Sequence, residues 1–454
     1  MKRKHLFTTL SCVALSLVHQ TSHGETLKDA LSTAYLNNPT LQAERAALRA
    51  ADETITQAKA GWRPSVVASG RYGYRNSRPK DTFLTSTGNT NPRSMAVEVR
   101  QPVFTGMQTV NGTNEARHQV NAAREQLAGV EQQILLEAVT AYMGVLRDMA
   151  VLDLTQNNVA VLKRQLEASE DRFRVGEITR TDVAQSKARL SRAVSEKIRA
   201  EAALTASRAA FRKIVGTAPG TLEEPKNLPP MPASEEASLE IARNYNPTLI
   251  AARYSEQAAR YNVKRQYGGL LPSVDVVARY SKSWESFSTT DQVTSKEILA
   301  EMTVPLYQSG SVSSRIRQSR QIENQRRLEA VSAERLVVEQ VRNAWEGYRE
   351  ATARIASSED QVTANDIALD GVRQEAEVGS RTILNVLDAE QELLDSRVSL
   401  VRAKRDQYVA AYALLSAIGK LNAEELDLNV TRYDPKRNTD NVEDKIFGWG
   451  IDEE

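Results

Sequence analysis

Two stretches concentrate the side chains that could do chemistry. Residues 378–393 read VGSRTILNVLDAEQEL and carry Arg381, Asn385 and Asp388, while residues 175–190 read VGEITRTDVAQSKARL and carry Thr181 and Asp182. Asn385 and Asp388 are three apart, which puts them on one face of a helix. A carboxylate there can attract cations, and an arginine near an aspartate can form a charge-assisted pair. In a monomer such a face is a solvated helix surface; in a ring of subunits each side chain is repeated around an axis. No nucleophile-base pair, phosphate loop or Gly-rich cofactor turn accompanies these residues, so no enzyme activity and no cofactor are expected.

Composition narrows the chemistry further. The chain has 454 residues, of which 41% are hydrophobic, 26% charged and only 6% aromatic, a balance that favours elongated helical packing over one large core. Residues 1–24 place Lys2, Arg3 and Lys4 before an apolar run from Leu6 to Val18, with Ser22 and Gly24 before a cut at Glu25. This pattern is expected to be a secretory signal. The single cysteine, Cys12, lies inside that run with Thr9 three residues before it, so lipidation is not expected. Past the cut only His118 remains of four histidines, which excludes thiolate chemistry, disulfides and Cys/His zinc sites. Without the three signal cations the balance is 56 positive to 58 negative. Arg315, Arg317, Arg320, Arg326 and Arg327 alternate with Glu323 and Glu329 as on a solvated helix face, and no nucleic-acid partner is expected.

The elements that must position these residues occur twice. Asn38-Pro39-Thr40-Leu41, Gly61, Pro64-Ser65-Val66 and Arg71-Tyr72 recur 208 residues later; Pro102, Val175-Gly176, Val183 and Gly216 recur 203 residues later. A colinear series of this kind is an internal repeat, and the five-residue difference marks a loop between residues 72 and 102. The expected organisation is a signal at 1–24, a first repeat at 25–216, a Pro-rich linker at 217–234, a second repeat at 235–421 and a polar tail at 422–454, the tail mobile for want of apolar residues.

Residues 103–218 and 306–434 lack proline, and their apolar residues recur at helical spacing. Each span is broken near its middle by Val-Gly, giving helices on the order of 100 Å long. The seven-residue series 183, 190, 197, 204, 211 and 386, 393, 400, 407, 414 predicts knobs-into-holes packing. Between the helices run four segments of period two, with strands expected at about 64–76, 94–104, 272–285 and 296–306. Val66, Ala68, Gly70 and Tyr72 oppose Ser65, Ser69 and Arg71; Met95, Val97, Val99 and Val103 oppose Glu98, Arg100 and Gln101; the second repeat follows suit. A membrane barrel with a polar lumen has this alternation, and so does a sheet packed on a water-facing core. Four strands cannot close a barrel, whose known minimum is eight, and an open edge in lipid leaves backbone groups unsatisfied. Three copies, giving twelve strands, make the smallest odd-fold ring that clears the minimum.

The NPTL helices, the paired hairpins, VGSRTILNVLDAEQEL and the closing LLSAIGKL of residues 414–421 together resemble the TolC family of outer-membrane efflux and secretion channels, in its non-lipidated branch. The resemblance implies a mainly α fold with membrane β: a homotrimer whose twelve-stranded barrel sits in outer-membrane lipid above a periplasmic coiled-coil tunnel. It implies docking on a periplasmic adaptor and an inner-membrane pump or ABC transporter, with passive passage of drugs, detergents, dyes or unfolded proteins. The contrasting reading is a structural, periplasm-spanning coiled-coil protein without a channel.

Residue by residue, the resemblance places adaptor docking at the tips Val175, Gly176, Glu177, Val378, Gly379 and Ser380. It places two carboxylate rings at the narrowest aperture, where this chain keeps Asp388 but has Asn385. It implies a closed-state latch from Arg381, Asp182 and Thr181, with Ala376 in place of the usual tyrosine.

Overall fold

The computed structural model describes residues 24–77, 88–286 and 288–450. The expected signal with Cys12, most of the loop between the first two strands and the last four acidic-rich residues lie outside that range.

Each repeat begins with two short helices: α1 (Leu27–Asn37) and α2 (Pro39–Lys59), then α5 (Glu235–Tyr245) and α6 (Pro247–Gly268). The recurring Asn-Pro explains itself here. Asn38 Oδ1 accepts from the amides of Thr40 and Leu41, and Asn246 Oδ1 from that of Leu249, with proline at the first helical position in both. The same two side chains, both buried, donate Nδ2 to Ile214 O and Ala417 O at 2.9 Å. Each asparagine thus starts one helix and bolts it to the end of another.

The long helices are α3 (Gln108–Arg174) and α7 (Ser311–Glu377), 67 residues each, returning as α4 (Arg180–Val215) and α8 (Ile383–Ala417). At 1.5 Å per residue α3 and α7 each run roughly 100 Å. The main core sits where the short helices cross the long ones, around Leu31, Leu41, Leu135, Tyr142, Phe211, Leu414 and Leu421. Toward the Val-Gly turns only small clusters remain: Leu162, Ala193, Ile383 and Leu387 in one, Leu369, Val386 and Leu393 in the other. The seven-residue period holds, but in α4 its buried register is Ser186, Ala193 and Ala200, three residues past the expected Val183, Leu190 and Lys197, which are half-buried. Small side chains own the seam because they let the helices approach closely.

Four strands form one antiparallel sheet in the order β1 (Ser65–Tyr72), β4 (Arg93–Phe104), β5 (Ser273–Trp284), β6 (Gln292–Thr303); β2 (Arg75–Ser77) and β3 (Gly88–Thr90) make a small separate ribbon. The last strand ends at Thr303, short of the expected 306, because Pro305 has no N–H to pair. Val66, Val99, Ala278 and Ile298 align across the four strands, as do Ala68, Val97, Tyr280 and Lys296. Gln101 corrects one expectation: it pairs with Val276, in the apolar register rather than the polar one. It lies beside the bulge between Pro102 and Phe104, and its Nε2 donates to Trp62 O at 2.8 Å.

The tail is a second correction. Residues 422–450 are packed along the molecule, with Ala423, Leu428 and Val442 buried and α9 (Arg437–Val442) lying on α2. Polar anchors rather than apolar surface hold it. Glu131 accepts the amide of Ala423, and Asp52, fully buried, accepts from Asn438 and Thr439. The Pro-rich linker is pinned likewise, by Tyr142 donating to Glu223 O and Tyr408 to Pro225 O.

Candidate functional site

Both Val-Gly turns are built the same way, from the backbone outward. After α3 the amide of Glu177 donates to Arg172 O at 2.9 Å and that of Gly176 to Phe173 O at 3.0 Å; after α7 Ser380 donates to Glu375 O at 2.9 Å and Gly379 to Ala376 O at 3.2 Å. These paired bonds close a helix through a left-handed residue, and Gly176 and Gly379 have φ of 82° and 78°. The preceding valines have no apolar cover: Val175 is 77% and Val378 80% exposed. Thr181, Glu177 and Ser380 are exposed as well.

Each return helix then opens with a capping box. Thr179 Oγ1 and N donate to Asp182 Oδ2 at 2.7 and 2.9 Å, and Thr382 Oγ1 and N donate to Asn385 Oδ1 at 2.7 and 3.2 Å. Asp182 and Asn385 are therefore the same structural position in two copies, 203 residues apart. The Thr179 hydroxyl first, then its amide, holds the Asp182 carboxyl below the usual carboxylate range. The amide oxygen of Asn385 does the same capping without a charge. Sequence reasoning missed this, although Thr-x-x-Asp and Thr-x-x-Asn directly after the turn are its signal.

The expected pair of Arg381 with Asp182 is not formed within the chain. Arg381 Nε instead donates to Glu375 Oε2 at 2.7 Å across its own turn, and the oxygen of Asp182 nearest the helix start is taken by Thr179. Asp388 has a partner the sequence did not point to: Arg189 on α4, half-buried, forms an ion pair with it and ties α8 to the first coil. On its other side α8 is strutted to α7 by Arg373–Glu390, by Arg397–Asp366 at 3.0 Å and by Arg354–Asp406 at 2.5 Å. Among the described residues no salt bridge joins α3 to α4; their buried polar link is Ser169 Oγ to Ser186 Oγ at 3.1 Å.

At the opposite end of the long helices the sheet has two unlike faces. Val66, Ile298 and Met302 of the apolar register are each about two-thirds exposed or more, at 66%, 78% and 68%. The other face is an ion-pair lattice: Arg279 bonds Glu98 at 2.5 Å, and Arg100 reaches Asp275 at 3.2 Å and Glu301 at 3.4 Å. The outer edges of β1 and β6 pair with no other strand of the chain.

Among the described residues no helix is long and apolar enough to cross a membrane, and no group of side chains could hold a metal ion. His118 stacks on Tyr261 with ring centroids 5.2 Å apart, and burial pushes its pKa down, as for a packing residue.

A family model described as "Outer membrane efflux protein" matches residues 30–217 and 239–420, that is, both repeats. The chain is 35% identical over 434 residues to the outer membrane efflux protein BepC of Brucella suis, covering 95% of this chain and 93% of that protein. It is 27% identical over 451 residues to the outer membrane protein TolC of Escherichia coli, covering 93% and 88%. Among solved structures it superposes on CusC with a TM-score of 0.78 over 87% of this chain and 92% of that one; at 16% identity this is a likeness of fold.

Proposed function

Because the chain belongs to the outer membrane efflux protein family and is an outer-membrane exit duct, we propose that three copies enclose one conduit. Each gives four strands to a twelve-stranded barrel and two coiled-coil hairpins to a periplasmic tunnel. The observation that carries this reading is the sheet: an exposed apolar face, an ion-paired face and two unpaired edges on one four-stranded unit. Lipid accepts such a face only when every edge is closed, and rotating the unit about an axis closes them all.

The periplasmic end is the docking and gating end in this reading. Val175, Gly176 and Glu177 with Val378, Gly379 and Ser380 present a small apolar knob on each tip, a fit for the helical hairpin of an adaptor that couples the duct to an inner-membrane pump or ABC transporter. Asp388 supplies a ring of three carboxylates at the aperture, with Asn385 as uncharged neighbour. In the conformation described Asp388 is neutralised by Arg189. Parting α8 from the first coil frees that carboxylate, so opening and cation attraction are linked. Arg381 can latch a neighbouring coil only by exchanging Glu375 for a partner there, with Asp182 and Thr181 as the polar groups at the matching height. Cargo is the efflux class or unfolded protein, moved by the partner's energy.

The test is electrical. Protein extracted from outer membrane is expected as a heat-resistant trimer giving stepwise, cation-preferring pores in planar bilayers. Asp388→Ala should lower the cation preference and Arg381→Ser should raise conductance. A monomer without pore activity overturns the duct; intact pores with unaltered cation preference overturn the role of Asp388 alone.

A further inference from the structure

The tail after α9 climbs α2 one turn at a time. Asn438 and Thr439 donate to Asp52, Thr56 Oγ1 donates to Val442 O at 2.8 Å, Lys59 Nζ bonds Glu443 and Asp444 at 2.9 Å each, and Arg63 Nη1 donates to Lys445 O at 2.8 Å. Residues 52 to 63 span on the order of 16 Å at helical rise, and the direction is toward the sheet, since Arg63 lies two residues before β1 begins at Ser65. Arg117 and Arg124 of α3 clamp the same strap through Glu443 and Thr439. Every contact in this ladder is polar or ionic.

Past the last rung the character reverses. Ile446 is 69%, Phe447 88% and Trp449 102% exposed. A left-handed Gly448, φ 108°, and Lys445 Nζ donating to Gly450 O at 3.1 Å fold these residues into a loop. An aromatic pair left bare on a polar strap that ends at the rim of a membrane sheet has the composition and the height of an interfacial anchor. We propose that the Ile446-Phe447-Gly448-Trp449 loop inserts into the headgroup and acyl boundary of the periplasmic leaflet of the outer membrane. It thereby fixes the depth of the duct from outside the barrel wall.

This rests on the lipid-facing reading of the sheet, whose apolar register includes Trp284 opposite Arg93. Trp284 therefore serves as the internal control. The full-length protein and its Trp449→Phe and Trp284→Phe variants are reconstituted in phospholipid vesicles with and without brominated acyl chains. Subtracting each variant's emission isolates one tryptophan. The Trp449 component is expected to be quenched by bromolipid to a degree comparable with Trp284, and to be shielded from aqueous acrylamide. Quenching of Trp284 without Trp449 overturns the anchor and leaves the barrel standing. Quenching of neither overturns the barrel reading itself. A Trp449 component hidden from both quenchers places the loop against a neighbouring subunit and likewise overturns the lipid assignment.

Discussion

The two helical tips share a backbone and differ in what joins their helices. Both close through glycine with φ near 80° and reopen through a threonine capping box. The first coil, α3 with α4, is zipped by a seam of small residues and one buried hydroxyl pair, Ser169 with Ser186. The second, α7 with α8, is cross-strutted by three exposed ion pairs and tied to the first by Arg189–Asp388. Close packing is insensitive to salt and fails abruptly when volume changes. Exposed ion pairs are individually weak, reversible and screened. Duplication has thus produced one coil suited to staying put and one suited to moving, a division that fits a conduit whose aperture residue sits on the second.

The largest test of that division is to overfill the seam. Ser186→Leu places a bulky side chain where Ser186 is 1% and Ser169 0% exposed. It should destabilise the first coil by about 1–3 kcal/mol. The equivalent position in the second copy is Ala389, which is half-buried; Ala389→Leu should cost well under half as much. Hydrogen exchange resolved to the two coils measures both, and equal costs would erase the distinction.

A smaller effect separates the coils by ionic strength. Raising potassium chloride from about 0.05 to about 1 M shortens the screening length from more than 10 Å to about 3 Å. At 0–1 kcal/mol per exposed pair, the α7–α8 struts should weaken by about 1 kcal/mol together. Exchange near Glu390 and Arg397 should speed up a few-fold while that near Ser169 and Ser186 holds. Acceleration in both coils would mean that charge, not packing, zips the first one.

The parts of the molecule written in short-range chemistry were legible beforehand. Proline-free spans, Val-Gly breaks and period-two runs follow from backbone rules that act within a few residues, and the helices and strands appear where those rules put them. Long-range partners were not. Nothing near Asp388 in the chain announces Arg189, 199 residues away, and Arg381 chose Glu375 over Asp182 because six residues across a turn is nearer than another coil. The tail was misjudged because its few apolar residues suggested no core, whereas its order comes from Asp52, Lys59 and Arg63, polar side chains whose partners only the folded chain supplies. Asn385 looked like a lost acid at an aperture; its capping bond to Thr382 shows a position that requires an oxygen acceptor, not a charge.

That last point separates the tips by pH, the smallest effect of the three. The Asp182 carboxyl titrates below its unfolded value near 3.9 because Thr179 donates twice to its ionised form. A depressed folded pKa means the stabilisation is complete above the unfolded value and is lost as pH falls through the folded one. The start of α4 should therefore loosen in acid below about pH 4, while the start of α8, capped by an amide that does not titrate, should not loosen for this reason. Exchange rates corrected for the intrinsic effect of pH, compared between residues 179–183 and 382–386, give the readout. Asp182→Asn should remove the acid loosening and keep the cap, and Asn385→Asp should transfer it to α8. If the two tips loosen together in the unmodified protein, their caps are not what distinguishes them, and the contrast reduces to seam against struts.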